Sequence, residues 1–469
     1  MFRSMKTGRV AIAALACTLL ATACTSAPTS SPSAGSAGAA APIKVWIEED
    51  LPERVAATKK IVEAYTAKTG GQVDLVSISE DEFNQLLTSS AAAGDLPDVI
   101  GGVSLPQVRT MSANQLIDTA ATGEVLNTLG AATFAESGLA LTKDGDTQLA
   151  IPSESWTQLL LYRKDLFDKA ALKAPGSYAD ISAAAKQLDS SEVAGFVGAN
   201  LAGDAFTEQT FEHVALGNNC QLVDNAGTVT LDSTECVESF SFYGDLVENY
   251  SVPGAQDVDT VRAQYFSGKA AMAIWSTFIL DELAGLRNDA KPNCAQCKDD
   301  PTWLAKNTGV VTAISGPKGS QPAVFGEVTS WVIPAEAESA SAKAFLEFML
   351  NDGYMDWIAI APEGKVPVRK GTADAPTKFS DGWAKLEVGV DSKAPLADFY
   401  GPEVIEALTT GVDKLARWAI PQGQGNLLGA IQGEHPVAAA VNKVTSGADP
   451  AAEAKKAADA VRSIQESIR

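Results

Sequence analysis

The sequence predicts an α/β protein of two lobes, each a mostly parallel sheet flanked by helices. Three observations predict it. Strand-like and helix-like patterns alternate from Ile43 onward, which favours a parallel sheet wrapped by helices. About 425 residues follow an N-terminal tract that cannot fold, more than one compact core usually holds. The hydrophobic content, 46%, is enough for sizeable cores, and no internal repeat of solenoid period is present.

The elements follow in order. Ile43-Lys-Val-Trp-Ile47 has strand character with Ile43, Val45 and Ile47 on one face, and Asp50-Leu-Pro52 offers a cap and an early proline for a helix. Val55, Ile61, Val62 and Tyr65 form its apolar stripe, which Gly70-Gly71 stops. A strand from Gln72 to Ile78, a helix from Glu80 to Ala93 and a buried strand Leu96–Ile100 ending in Gly101-Gly102 come next. Extended stretches Leu149–Pro152 and Thr157–Tyr162 open a second set, with helices over Ser177–Leu188 and Asp204–Gly217. After Arg262–Phe266 and a turn at Gly268-Lys269, strands are expected at Ala270–Trp275 and Val328–Pro334, then helices over Ser339–Met355 and from Asp449-Pro450 to Ile468.

The N-terminus predicts export. Arg3, Lys6 and Arg9 precede an apolar run, Val10–Ala21, too short to span a bilayer comfortably. Leu20-Ala-Thr-Ala-Cys24 resembles the lipobox of bacterial lipoproteins, which implies a signal peptide over residues 1–23 and diacylation of Cys24. Residues 24–42 then form a flexible tether of Ser, Ala, Pro, Gly and Thr without charge. Removing the three cations of the leader takes the formal charge from −22 to −25, which disfavours nucleic acid and anionic lipid as charge-driven partners. Two histidines, His213 and His435, are few for His-centred metal or acid–base chemistry, so no cofactor and no metal are expected.

With Cys17 in the leader and Cys24 lipidated, Cys220, Cys236, Cys294 and Cys297 remain, an even number that reads as two disulfides in an exported chain. Of three pairings, Cys220–Cys236 and Cys294–Cys297 are favoured because each closes a local loop. A zinc site or a redox-active CxxC is the alternative, weakened by the single CxxC and its Pro, Asn and Asp surroundings.

Several stretches resemble the extracellular solute-binding proteins of bacterial ATP-driven importers, in the sugar-binding family that includes maltose-binding protein. They are Leu96-Pro-Asp-Val99; Ile151-Pro152 with Leu161-Tyr-Arg-Lys-Asp-Leu-Phe167; Phe266-Ser-Gly-Lys-Ala-Ala-Met-Ala-Ile-Trp275; and Ser341–Met349 with Gly364-Lys-Val-Pro-Val368. Arg163 departs from the asparagine usual in the family. The resemblance implies a two-lobed periplasmic-binding-protein-like fold joined by a multi-strand hinge. Lobe one would be residues 43–150 and 328–362, lobe two residues 151–327 and 363–469, with crossing strands at Leu149–Pro152 and Phe325–Thr329 that bend as the cleft shuts.

A sugar needs an aromatic plate for its C–H faces and carboxylates, amides or hydroxyls for its rim. Glu48, Glu49 and Asp50 end the first strand, where open sheets bind ligands; helix capping is the structural alternative, above all for Asp50. Ser104 and Gln107 follow the third strand at the same edge, with turn chemistry as their alternative. Trp156 lies in a polar setting unlike a core tryptophan, whereas Trp46 and Trp331 sit inside apolar strands. The resemblance adds Trp275 as a stacking tryptophan, Phe206 as a cleft residue, and Gln424 and Asn426 in a ligand-contacting loop. Core packing is the alternative for Phe206 and a plain loop for the amides. Glu327, beside Gly326 at the second crossing, is a ligand or a hinge residue.

The expected function is a monomeric, lipid-anchored receptor on the outer face of the cytoplasmic membrane. It would capture a di- or oligosaccharide by lobe closure and deliver it to the permease of an ABC importer, with no catalysis of its own. Other solutes (a polyamine, a phosphorylated polyol, a peptide) are the rival within binding proteins, and phosphate is disfavoured because no cleft candidate is basic. A secreted glycoside hydrolase using two of Glu48, Glu49 and Glu327 is the rival from another class.

Overall fold

The computed structural model describes residues 42–468, so the expectations for the signal peptide, Cys24 and the tether up to residue 41 fall outside the described residues. Strands β1 (Ile43–Glu48), β2 (Val73–Ile78) and β3 (Val99–Val103) pair in parallel in the order β2-β1-β3, with helices Pro52–Thr69 and Glu80–Ala93 between them. Ile43, Val45 and Ile47 enter one core, while Trp46 on the opposite face enters another with Phe83, Leu87, Ile100 and Val108. Burial on both faces is what parallel strands require, and it explains their near-continuous apolar sequence.

The first helix stops at Gly70, whose φ of 77° is the left-handed conformation a glycine accepts without strain. Its start differs from expectation. Asp50 is exposed and Leu51 is the capping position; the Glu49 carboxylate accepts the Asp50 and Leu51 N–H groups at 3.1 Å each, leaving Asp50 without the capping role.

Six more strands complete a nine-stranded sheet: β4 (Ile151–Arg163), β5 (Met272–Ser276), β6 (Thr308–Val311), β7 (Val324–Val332), β8 (Val366–Pro367) and β9 (Leu415–Ala416). Its main path runs β8-β4-β7-β3-β1-β2, with β5 and β6 on β4 and β9 on β7. The two expected stretches at Leu149–Pro152 and Thr157–Tyr162 are one continuous strand. The first half of β4 pairs with β7 (Ile151 opposite Trp331, Thr157 opposite Gly326), and its second half pairs with β5 and β6. Parallel pairing is confined, among these strands, to β1–β3 and to β7 with β9. Elsewhere β4 and β7 dominate. The chain departs along β4 and returns along β7, and an outgoing and a returning strand laid side by side are antiparallel.

Asp449 caps the helix Pro450–Ser467 as expected, and Ser177 and Asp204, expected as first residues of their helices, are the caps of Tyr178–Leu188 and Ala205–Gly217, each accepting a first-turn N–H. The helix expected over Ser339–Met355 breaks into Ser339–Met349 and Tyr354–Ile358, because Asn351-Asp352-Gly353 turns the chain and the buried Arg369 guanidinium donates to the freed Leu350 carbonyl. Arg163 forms a two-point ion pair with Asp165 (2.7 Å at both contacts) and lies over the Trp303 ring, which accounts for an arginine at that position. The structure pairs Cys220 with Cys236 and Cys294 with Cys297. Among the described residues no helix is long and apolar enough to cross a membrane.

Candidate functional site

The carboxyl end of the β2-β1-β3 sheet, where helix N-termini and strand ends meet, holds the first group of candidates. Ser104 caps the helix Leu105–Ala113: its hydroxyl accepts the Gln107 N–H, while Gln107 Oε1 accepts the Ser104 N–H at 2.8 Å, a reciprocal capping box. The Gln107 amide nitrogen is thereby free to reach outward, donating to Asn84 Oδ1 at 3.1 Å and to Glu48 Oε1 at 3.5 Å. One side chain thus caps the helix and ties Glu48 and Asn84 to its start.

Burial, with the nearby Glu80 carboxylate and opposed by the Gln107 donor, pushes Glu48 up to about 8 from 4.5, and Glu327 adds to the rise. A carboxyl raised in this way stabilises the fold in full below its ordinary value, and that contribution is lost as pH rises through 8. Glu48→Gln, neutral at all pH, is therefore expected to raise stability at pH 8 by about 1–2 kcal/mol and to change it little near pH 4. Denaturant midpoints of both proteins at the two pH values check this; equal profiles would show Glu48 ionised at no cost.

Glu327 is 2% exposed and sits on β7 directly opposite Trp156 of β4. Its Oε1 accepts the Leu105 N–H at 2.7 Å, and its Oε2 is ion-paired with Arg417 Nη1. Arg417 reaches on to Glu212 of the Ala205–Gly217 helix, Nε to Oε1 at 3.1 Å, and Glu212 also accepts the Trp418 N–H at 2.6 Å. Burial opposes the charge on Arg417, and the two carboxylates outweigh it, so its pKa stands above the ordinary arginine value. The geometry gives Glu327 a structural task at the crossing strands, since both of its oxygens are engaged within the protein.

Trp156 is half-buried against two rings, Phe325 at 5.8 Å and Phe278 at 6.4 Å, with Phe325 in turn beneath the Arg417 guanidinium at 4.8 Å. Trp275 is placed differently. It is 5% exposed, its Nε1 donates to the Val258 carbonyl at 2.9 Å, and Phe206 lies against it at 5.8 Å, so these two aromatics form a packed group of their own. Trp46 and Trp331 are core residues, and Trp331 fills the space beside Gly101, where a Cβ would overlap its ring.

Gln424 precedes the helix Gly425–Ile431 and accepts from Gln465 Nε2 at 3.4 Å; Asn426 is exposed on that helix. The same helix packs on Leu105–Ala113 through its small faces: a Cβ at Gly425 would stand 2.6 Å from Arg109 Nε, and one at Gly429 2.9 Å from the Pro106 carbonyl. The amide-bearing start of this helix thus lies toward Arg109 and its later turn, at Gly429, toward Pro106, so the structure does not bring Gln424 and Asn426 to Ser104 and Gln107.

The structure therefore brings Glu48, Ser104, Gln107, Glu327 and Trp156 into one constellation, linked by the contacts above. Glu49 joins it through Arg54, whose guanidinium lies 3.5 Å from Glu49 and 3.4 Å from Glu363. Arg54, Glu212, Phe278, Phe325, Glu363 and Arg417 were not singled out in the sequence. The aromatic position three residues after Trp275, just past the same strand, was the one available hint of Phe278.

The fold is that of a receptor that encloses a solute between lobes, and the chain belongs to the bacterial extracellular solute-binding proteins, whose family model matches residues 48–356. Among individual proteins it is 30% identical over 333 residues to the ABC transporter periplasmic-binding protein named YcjN of Escherichia coli, covering 69% of this chain and 72% of that one. Solved structures of similar fold include the GacH receptor of Streptomyces glaucescens, studied unliganded and with acarbose (TM-score 0.68, 19% identity, 91% of this chain and 98% of that one). The maltose-bound MalE3 of T. maritima matches with TM-score 0.67 at 19% identity over 89% of this chain and 99% of its own. The two-lobed fold expected from the sequence is thus established.

Proposed function

We propose that the chain is the extracytoplasmic receptor of an ATP-driven importer and captures a sugar, a di- or oligosaccharide, by hinge closure before handing it to the permease. The observation that carries this reading is the half-buried Trp156 ring, held by Phe278 and Phe325 and paired across the strands with Glu327, whose carboxylate accepts the Leu105 N–H next to the Ser104–Gln107 capping box: an aromatic plate on strands joined to a polar sheet edge. The similar structures holding acarbose, maltose and laminaribiose support the ligand class, and the relative named as an ABC transporter component supports the partner. The hinge is β4 and β7, the two strands that pass from one part of the sheet to the other. Lobe one is residues 43–150 and 328–362, and lobe two residues 151–327 and 363–469. On those bounds the contact between helices Leu105–Ala113 and Gly425–Ile431 is a lobe-to-lobe surface. Export and attachment through Cys24 keep the receptor near its transporter. No covalent bond is made or broken in this reading.

A thermal-shift screen of the purified chain against acarbose, maltose, laminaribiose and other saccharides tests it, because a ligand that binds only the folded state raises the melting temperature. For the saccharide found, Trp156→Ala is expected to weaken binding by about 1–3 kcal/mol with the fold retained. An unchanged Kd by calorimetry would remove Trp156 from the site. Trp275→Ala would instead open a cavity in packed structure and is no test of ligand contact.

A further inference from the structure

The chain has two histidines, and the structure treats them in opposite ways. His213 is fully buried, and burial pushes it down to about 4, so it stays neutral near neutral pH. His435 lies in the turn between the helices Gly425–Ile431 and Pro436–Val444, with 18% of its side chain exposed. Its backbone is left-handed, φ 47° and ψ 52°, although it carries a Cβ and precedes a proline, which pushes the residue before it toward extended backbone. A strained residue persists only where its surroundings hold it.

The holding group is Glu208 of the Ala205–Gly217 helix, 227 residues away in the chain and with its side chain 7% exposed. Glu208 Oε1 accepts the Val437 and Ala438 N–H groups at 3.2 and 3.5 Å, and Oε2 lies 3.1 Å from His435 Nδ1. The left-handed turn leaves the helix Pro436–Val444 without a cap from its own leading side chain. A carboxylate from another helix takes that place and complements the helix dipole. We propose that Glu208 and His435 form a proton-dependent clasp: the protonated ring holds the strained turn and docks the helix Pro436–Val444 on Ala205–Gly217, and loss of the proton loosens it. The clasp does not depend on the ligand class proposed above.

The surrounding charges favour it. The Glu208 hydrogen bond raises His435 above the ordinary 6.5 against the effect of burial, and Asp204, the cap of the same helix, adds to the rise. The helices Thr234–Tyr250 and Pro450–Ser467 also pack on Pro436–Val444. On the first, Glu248 stands beside Gly447, past the far end of Pro436–Val444. On the second, Glu453 pairs with Lys456, Lys455 and Arg462 pair with Asp459, and Glu466 is exposed. Glu434 in the turn is exposed, Lys443 lies in the last turn of Pro436–Val444, and Gly425–Ile431 carries no charge. A neutral imidazole makes the Glu208 contact only with its single proton on Nδ1, whereas the imidazolium donates with a full charge. Because the folded value is raised, the clasp stabilises in full below 6.5, and that contribution is lost as pH rises through the raised value.

The test uses the full chain with two variants. His435→Asn keeps a residue that accepts left-handed backbone and does not titrate; Glu208→Gln keeps the shape and an acceptor but removes the charge. With only two histidines, imidazole NMR follows His435 from about pH 5 to about pH 9 while His213 stays neutral. The expected result is a midpoint above 6.5 in wild type and a lower one in Glu208→Gln. Melting temperature is expected to fall more across this range in wild type than in His435→Asn. Glu48 and Asp281, pushed up to about 8, and Glu282, pushed up to about 7, titrate in both chains and cancel in the difference. A wild-type midpoint at or below 6.5 would overturn the clasp, and so would melting profiles that run parallel in wild type and His435→Asn. Should Glu208→Gln not fold, the wild-type titration and the His435→Asn profile decide between these outcomes.

Discussion

Arg417→Met is expected to cost about 3–5 kcal/mol of stability, the largest effect of any single substitution considered, because it strands two buried carboxylates that one guanidinium now serves. Arg417 is 2% exposed, Glu327 2% and Glu212 3%, so water cannot replace the lost partner. The damage extends past the pair. Glu327 holds the first N–H of the Leu105–Ala113 helix, and Glu212 holds the Trp418 backbone, so a repelled or protonated carboxylate loosens both attachments. Guanidinium denaturation at pH 7 measures the loss. Adding Glu212→Gln to Arg417→Met should recover part of it, since one stranded charge is gone. A change below about 1 kcal/mol for Arg417→Met would mean that the three groups are solvated in solution and that the crossing strands are held by backbone pairing alone.

Replacing Cys220 and Cys236 together by alanine is the second large effect. The bond closes a separation of 16 residues, for which constraint of the unfolded chain is worth about 3 kcal/mol. Both cysteines are fully buried, and the Cys220 carbonyl accepts the Trp418 indole N–H at 2.9 Å, so the loop carries the residue next to Arg417. The corresponding change at Cys294 and Cys297, separated by only 3 residues, should cost about 2 kcal/mol on the same entropic ground. Urea midpoints of the two alanine pairs test the order. Equal losses would assign the stabilisation to packing at each site instead of loop closure.

The two effects differ in how visible their causes are in the chain. Cysteine parity in an exported chain points to two disulfides, and short spacing favours these pairings, because each closes a local loop. Arg417 shows nothing: it reads as one more cation, and its partners lie 90 and 205 residues away. The same holds across the site. Glu48, Ser104 and Gln107 are legible because strand ends, caps and helix starts are set by residues within a turn of one another. Trp275 and Phe278 are not separable by sequence, since one lies at the end of β5 and the other two residues past it, and only the packing of Val258 and Phe206 on one and of Gly364 and Trp156 on the other tells them apart.

The sequence by itself determined the alternation of strands and helices, the start of helices near Ser177 and Asp204, Asp449 as a helix cap, the shared face of Ile43, Val45 and Ile47 on β1 and the resemblance to a solute receptor. Periodicity, caps and turns act over a few residues, so the chain writes them locally. The tertiary structure decided that two expected stretches are one long strand, that β4 and β7 run antiparallel where parallel neighbours were expected, and that Glu327 is a clasp for Arg417. It also decided the ion pair of Arg54 and Glu363, which lie 309 residues apart and meet only because of where the chain returns. A hydrogen bond reaches about 3 Å, so a site assembled from distant segments has no local signature.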